Sequence, residues 1–201
     1  MAYPKEYFLI TADVSEGVIG GDRSVADVWD CRTWEQIAQW YGYIDPNRFA
    51  KMLYDLGVYY GWCMICVETN YPGNATHGKL LELEYPKIWM GTDGKYWQTT
   101  QNRRHVILSD LREALYDGSI KINSQHTLTE LRTFIRTHSG KVEAQDNCND
   151  DCVMSAAMAA HILKDVDTNE YAQELKRNPL RPKVISRYGY KKVSSSRGEV
   201  V

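Results

Sequence analysis

Tyr7-Phe8-Leu9-Ile10-Thr11-Ala12-Asp13 is an apolar run that closes on a carboxylate, and its reading decides the fold. Alternating apolar residues from Tyr7 to Val14 predict a buried strand that ends at Asp13. Trp62 to Val67 is almost wholly apolar, as befits a central strand covered on both faces, and it too closes on an acid, Glu68. A third acidic position, the pair Asp150-Asp151, opens the helix-like run from Val153 to Ala160. Carboxylates at such points are costly to desolvate unless a cation meets them. Gathered at one sheet edge, they suit oxygen-seeking divalent ions, and such ions activate water against a phosphodiester. Asp13, Glu68 and Asp151, with Asp150 beside them, are therefore the expected metal-binding and catalytic residues of a metal-dependent nuclease.

Outward from Asp13, the glycine-rich stretch from Ser15 to Asp22 reads as a loop. Strands at Ser24 to Trp29 and Thr33 to Trp40, turned near Asp30-Cys31, complete an antiparallel meander. Asp45-Pro46 has the chemistry of an N-cap and first helical residue. Phe49, Met52, Leu53 and Leu56 follow on one helical face, and Gly57 or Gly61 can end that helix. Further elements are a helix at Thr76 to Leu83, a strand at Lys87 to Met90, a turn at Gly91 to Gly94 and a helix at Arg104 to Tyr116, stopped by Gly118. An edge strand at Ile120 to Ile122, a helix carrying Leu128, Leu131, Phe134 and Ile135, a hairpin strand at Lys141 to Ala144 and a helix at Asp151 to Leu163 complete the series. Strands first, then helices alternating with strands, predict a three-layer α/β fold with a central mixed β-sheet flanked by helices. Sites in such sheets form at strand ends, where Asp13 and Glu68 lie.

At 201 residues and 43% hydrophobic content, the chain is expected to form one domain over 1–175 with a short basic tail at 176–201. No apolar run approaches the roughly 18 residues that span a membrane, and no export signal opens the chain, so a cytoplasmic protein with no membrane partner is expected. Five cysteines read as reduced thiols rather than a disulfide framework. The Cys63-x-x-Cys66 and Cys148-x-x-x-Cys152 spacings invite a zinc reading. Residues three apart in a strand point to opposite faces, however, which favours ordinary buried cysteine. The net charge of −2 is unevenly divided: from Lys176 to Arg197 there are eight basic residues and no acid. Such an arm, with Tyr188 and Tyr190 interleaved, can follow a nucleic-acid backbone, and Lys191 and Lys192 are its DNA-binding candidates. A solvated tail is the bland alternative.

Gly73-Asn74-Ala75-Thr76-His77-Gly78-Lys79 fits G-x-x-x-x-G-K between a strand and a helix. Leu80 follows where a hydroxyl should hold magnesium, so a plain loop leading into a helix is the better reading. The five histidines form no metal-binding spacing, and no serine or cysteine sits in a nucleophile elbow.

Five segments in consistent order carry a family resemblance. They are Ile10-Thr11-Ala12-Asp13-Val14-Ser15-Glu16-Gly17; Val67-Glu68-Thr69-Asn70; Tyr96-Trp97-Gln98-Thr99-Thr100 with Arg104; Glu143-Ala144-Gln145; and Asn149-Asp150-Asp151-Cys152-Val153-Met154-Ser155-Ala156. From about Tyr7 to His161 the chain resembles the C-terminal nuclease domain of tailed-phage large terminase subunits. The resemblance implies an RNase H-like fold and endonucleolytic cutting of concatemeric viral DNA during genome packaging, in the cytoplasm of a bacterial host. It makes Asp13, Glu68 and Asp151 the metal-binding acids, leaves Asp150 able to share that role, and puts Glu16 and Asp22 where some members carry auxiliary acids. Arg104 falls where an arginine commonly follows the Trp-x-Thr segment, facing DNA or capping a helix. Asn149 stands where many relatives have histidine, which argues against a direct metal or proton role for that position. The packaging ATPase half of a large terminase is absent from the sequence. An isolated nuclease domain is thus expected, with double-stranded DNA, the ATPase domain, the small terminase and the portal as implied partners.

The expected chemistry uses two ions, Mg²⁺ or Mn²⁺, roughly 4 Å apart and bridged by Asp13, one activating water and the other stabilising the leaving 3′ oxygen. Competing readings are a related RNase H-like resolvase or strand-transfer nuclease, and a non-catalytic module that docks DNA or the portal.

Overall fold

Six residues of β1 (Phe8–Asp13) set the alternation on which the molecule is built. Leu9 and Thr11 point to one side of the sheet, Ile10 and Ala12 to the other. The computed structural model describes residues 7–136, 142–145 and 148–164. β1 pairs antiparallel with β2 (Ser24–Asp30), which pairs antiparallel with β3 (Glu35–Gly42), and parallel with β4 (Met64–Val67). The result is a mixed sheet of order β3-β2-β1-β4, with β1 in its interior.

α1 (Pro46–Tyr59) supplies the crossover between β3 and β4. The Asp45 carboxylate accepts hydrogen bonds from the Asn47 and Arg48 N–H groups, both at 3.1 Å, and Pro46 opens the first turn as expected. α1 and α2 (Gly73–Glu82) cover the face of Ile10, Ala12, Ile65 and Val67, with Phe49, Leu53 and Leu80 as their main buried contributions. α3 (Gln101–Asp117) and α5 (Asp151–Leu163) cover the face of Leu9, Trp29 and Cys66. Alanine at four positions of α5 lets that helix lie close to the sheet, and most of its residues are buried. α4 (Gln125–Thr133) packs against α5 and is followed by a two-stranded hairpin of β5 (Phe134–Arg136) and β6 (Val142–Ala144).

Several predicted elements shift. Of the two glycines expected to end α1 it is Gly61, at φ 75° just past the cap, that does so; Gly57 is buried inside the helix, where a Cβ would meet the Tyr85 hydroxyl at 2.1 Å. Phe134 and Ile135 leave the predicted helix for β5, because α4 stops at Thr133. The Lys87 to Met90 strand is reduced to two isolated bridges, Ile88 parallel to Ile65 beside β4 and Met90 antiparallel to Tyr96, and the Ile120 to Ile122 strand to a bridge of Lys121 beside Glu35. Gly118, in the left-handed region at φ 75°, ends α3 as predicted. The whole Gly73 to Lys79 stretch is helical, with no phosphate-cradling loop. No helix among the described residues is long and apolar enough to cross a membrane. The predicted boundary at 175 and the tail with Lys191 and Lys192 lie outside the described residues.

Candidate metal centre

Strand alternation aims two of the predicted acids the same way. Asp13 continues the parity of Leu9 and Thr11, and Glu68, the residue after β4, continues that of Met64 and Cys66, so both belong to the α5 side. The parallel pairing sets them side by side: Ala12 lies opposite Val67, and the Glu68 N–H donates to the Ala12 carbonyl at 3.1 Å. Asp151 arrives from the other layer as the first residue of α5. Ser155, one turn further on, pins that helix to β1. Its Oγ lies 2.9 Å from Thr11 Oγ1 and donates to the Thr11 carbonyl at 3.2 Å, while Trp29 Nε1 donates to Thr11 Oγ1 at 3.0 Å.

Each acid has its own supports. Glu68 Oε1 accepts from Asn70 Nδ2 at 2.8 Å, and the same amide donates to the Thr99 carbonyl at 2.8 Å. Thr69 N–H and Oγ1 both donate to the Trp97 carbonyl, so the Trp97 to Thr99 stretch braces the end of β4. Gly73 is needed for the same corner, since a Cβ there would stand 1.9 Å from the Glu68 carbonyl oxygen. Asp151 Oδ2 accepts from the Arg23 backbone N–H at 3.1 Å and from Asn149 Nδ2 at 3.4 Å. Asp150 is paired with Arg104, whose guanidinium also donates to Met154 Sδ at 2.9 Å.

The acids sense one another. Burial first, and then the charges of Glu68, Asp151 and Asp150, push the Asp13 carboxyl well above its ordinary value. Burial raises Glu68, opposed by hydrogen bonds from Thr99 and Asn70 and by the charge of Arg104. Burial pushes Asp151 up to about 7, against the hydrogen bond from Arg23, and Asp22, Glu130 and Asp150 add to the rise. Asp22 thus lies near the acids, whereas Glu16 hydrogen-bonds Tyr71. Four carboxylates meet at one end of the sheet with a single arginine paired among them. Among the described residues, no three His, Cys, Asp or Glu side chains stand close enough to hold an ion without rearrangement.

The other candidates fall elsewhere. Cys63 and Cys66 are buried on opposite faces of the sheet, in line with the strand argument against a shared zinc. Burial pushes the Cys66 and Cys152 thiols up, away from the thiolate form that a nucleophile or metal ligand requires. His161 pairs with Asp110 of α3 through Nδ1 at 2.6 Å. Arg104 is turned into the acidic cluster, its side chain 26% exposed. Sequence reasoning missed Arg23, which holds Asp151 through its backbone, and Glu130 of α4, whose Oε2 accepts the Cys152 and Val153 N–H groups at 2.8 and 3.2 Å. That carboxylate caps α5, whose own N-cap residue, Asp150, makes no side-chain capping bond. Twenty-two residues separate Glu130 from Cys152, so no local pattern signals the cap; the only trace of Arg23 is its place beside a predicted strand start.

A mixed sheet covered by helices on both faces, with acids at the ends of its parallel pair β1 and β4 and on a helix packed against β1 and β2, defines the RNase H-like fold. Within that class the chain has the fold of phage large-terminase nuclease domains. It is similar to the large terminase nuclease from thermophilic phage G20c with bound magnesium (24% identity, TM-score 0.66, 79% of this chain and 82% of that one). The Thermus phage P74-26 large terminase nuclease domain matches at 22% identity and TM-score 0.64, over 82% of this chain and 83% of that one. A mutant nuclease domain of the large terminase subunit of bacterial virus Sf6, solved with manganese and beta-thujaplicinol, matches at 14% identity and TM-score 0.57, over 78% and 89%. Neither a protein-family model nor a curated protein matches the sequence.

Proposed function

We propose that this chain is a divalent-metal-dependent DNA endonuclease that cuts concatemeric viral DNA during genome packaging. The observation that carries the reading is the meeting of Asp13, Glu68 and Asp151 at one end of the sheet, in a fold shared with terminase nuclease domains that hold magnesium or manganese. The donor set fits such ions. It is made of carboxylate oxygens, the neighbouring Cys66 and Cys152 thiols being held in the protonated form by burial, and hard oxygen donors suit Mg²⁺ and Mn²⁺.

Asp13, on the interior strand, would hold the ions together with Glu68 and Asp151. Bound ions would supply an activated water and positive charge for the leaving 3′ oxygen. The residues around them do the positioning. Asn70 and Thr99 fix the Glu68 carboxylate, the Arg23 N–H and Asn149 fix Asp151, and Arg104 balances Asp150, which leaves Asp151 as the acid of that pair with no ion pair among the described residues. Double-stranded DNA is the substrate of this reading. An ATPase domain would supply translocation, and the small terminase and portal would be its packaging partners.

Nicking of supercoiled plasmid in Mn²⁺ by the intact chain and by Asp13→Asn tests the assignment. Loss of activity on the order of 10³-fold in the variant is expected. Equal cutting by both, or none by either, contradicts the proposal, and cutting confined to branched junctions moves it to a resolvase.

A further inference from the structure

Two arginines face the carboxylates, and they differ in what their guanidinium groups already hold. Arg104 is paired with Asp150. Arg23 makes no ion pair among the described residues. Its guanidinium carbon lies 5.1 Å from the Tyr41 ring centre and 4.9 Å from that of Tyr43, and Nη1 donates to Tyr41 Oη at 3.1 Å. Tyr41 is itself stacked on His126, with ring centres 4.3 Å apart, which stiffens the platform. The Arg23 backbone N–H holds Asp151 Oδ2 at 3.1 Å, so the same residue ties a fixed cation to a candidate metal ligand. One hydrogen bond to Tyr41 leaves most of the five donors of the fork uncommitted.

From this geometry we infer that Arg23 is the phosphate contact of the centre: held against the Tyr41 and Tyr43 rings, it takes a DNA phosphate adjoining the cleaved bond. The inference rests on the nuclease reading and adds to it the residue that seats the backbone. An arginine fork matches phosphate oxygens two at a time. Held beside the acids, it offsets the repulsion they exert on incoming DNA. Tyr41 and Tyr43 are its positioning residues.

The test compares the full chain with Arg23→Ala and Arg23→Gln. The glutamine variant keeps most of the side-chain stem and loses the charge, so it serves if alanine disturbs the fold. Duplex binding is measured without Mn²⁺ by fluorescence anisotropy across a salt series, Mn²⁺ affinity by calorimetry, and plasmid nicking by steady-state kinetics. Removing one phosphate contact should lower the slope of log K against log salt by about 1. It should raise KM about tenfold or more and leave Mn²⁺ affinity within about twofold. An unchanged salt slope and KM in both variants overturns the inference. So does weaker Mn²⁺ binding with an unchanged slope, which would make Arg23 a support for Asp151 only. Should the wild type bind DNA but fail to nick it, the nuclease reading fails while the salt slopes still decide the role of Arg23.

Discussion

On the α1 and α2 side of the sheet, the strands bury Ile10, Ala12, Ala26, Val28, Ile65 and Val67 against Phe49, Leu53 and Leu80. On the α5 side, the same strands bury Thr11 and Asp27 and lead out to Asp13 and Glu68. The first face is held by area removed from water, which is favourable and indifferent to pH. The second carries carboxylates that burial penalises, and both buried carboxylate oxygens without a hydrogen-bond partner among the described residues, Asp27 Oδ2 and Glu130 Oε1, belong to it. One sheet thus divides its work: the apolar face supplies the stability that lets the polar face hold a cluster of acids in poor solvation.

That contrast can be broken from either side. Truncating the apolar face should have the largest effect on folding: Phe49→Ala removes a fully buried ring and is expected to cost roughly 3 to 5 kcal/mol in urea denaturation. Nicking per folded molecule should be kept, and a parallel loss of metal affinity would show that the faces are not separable.

On the polar face, Asp27 accepts hydrogen bonds from Gln36 and Gln39, yet burial still raises its carboxyl to about 6. Its folded value exceeds its unfolded one, so the folded state binds the proton more tightly, and stability from this group falls as pH rises from about 4 to about 6. Asp27→Asn should therefore be more stable than wild type at pH 7 by up to roughly 3 kcal/mol, with the difference closing near pH 4. A difference constant across that range would assign the effect to packing.

A smaller effect is expected at the cap of α5. Glu130→Ala frees the Cys152 and Val153 N–H groups and should cost roughly 1 to 2 kcal/mol, seen as faster hydrogen exchange at those two amides. Glu130→Gln, which keeps an acceptor, should recover part of the loss. Unchanged exchange would mean that packing alone holds the first turn of α5.

The apolar face was the more legible in sequence. Period-two alternation in β1, the helical stripe of Phe49, Leu53 and Leu56, and the capping chemistry of Asp45-Pro46 are local signals, and they gave the layers correctly. The element ends at which Asp13, Glu68 and Asp151 stand were also readable, because each acid borders an apolar run. What sequence could not give is the set of long-range supports. Glu130 reaches α5 from α4, Ser155 reaches Thr11 across 144 residues and Arg23 reaches Asp151 across 128, and none of these contacts leaves a periodic trace. The failed strand at Ile120 to Ile122 and the misplaced helix residues Phe134 and Ile135 share a cause: short apolar runs fit helix or strand equally well until tertiary packing chooses.

A crystal of the full chain soaked in Mn²⁺ and measured at the manganese absorption edge addresses the centre itself. Two anomalous peaks within about 4 Å of each other, contacting Asp13, Glu68 and Asp151, are the expected result. Peaks only at other acids, or carboxylates that stay apart at saturating Mn²⁺, would contradict the account.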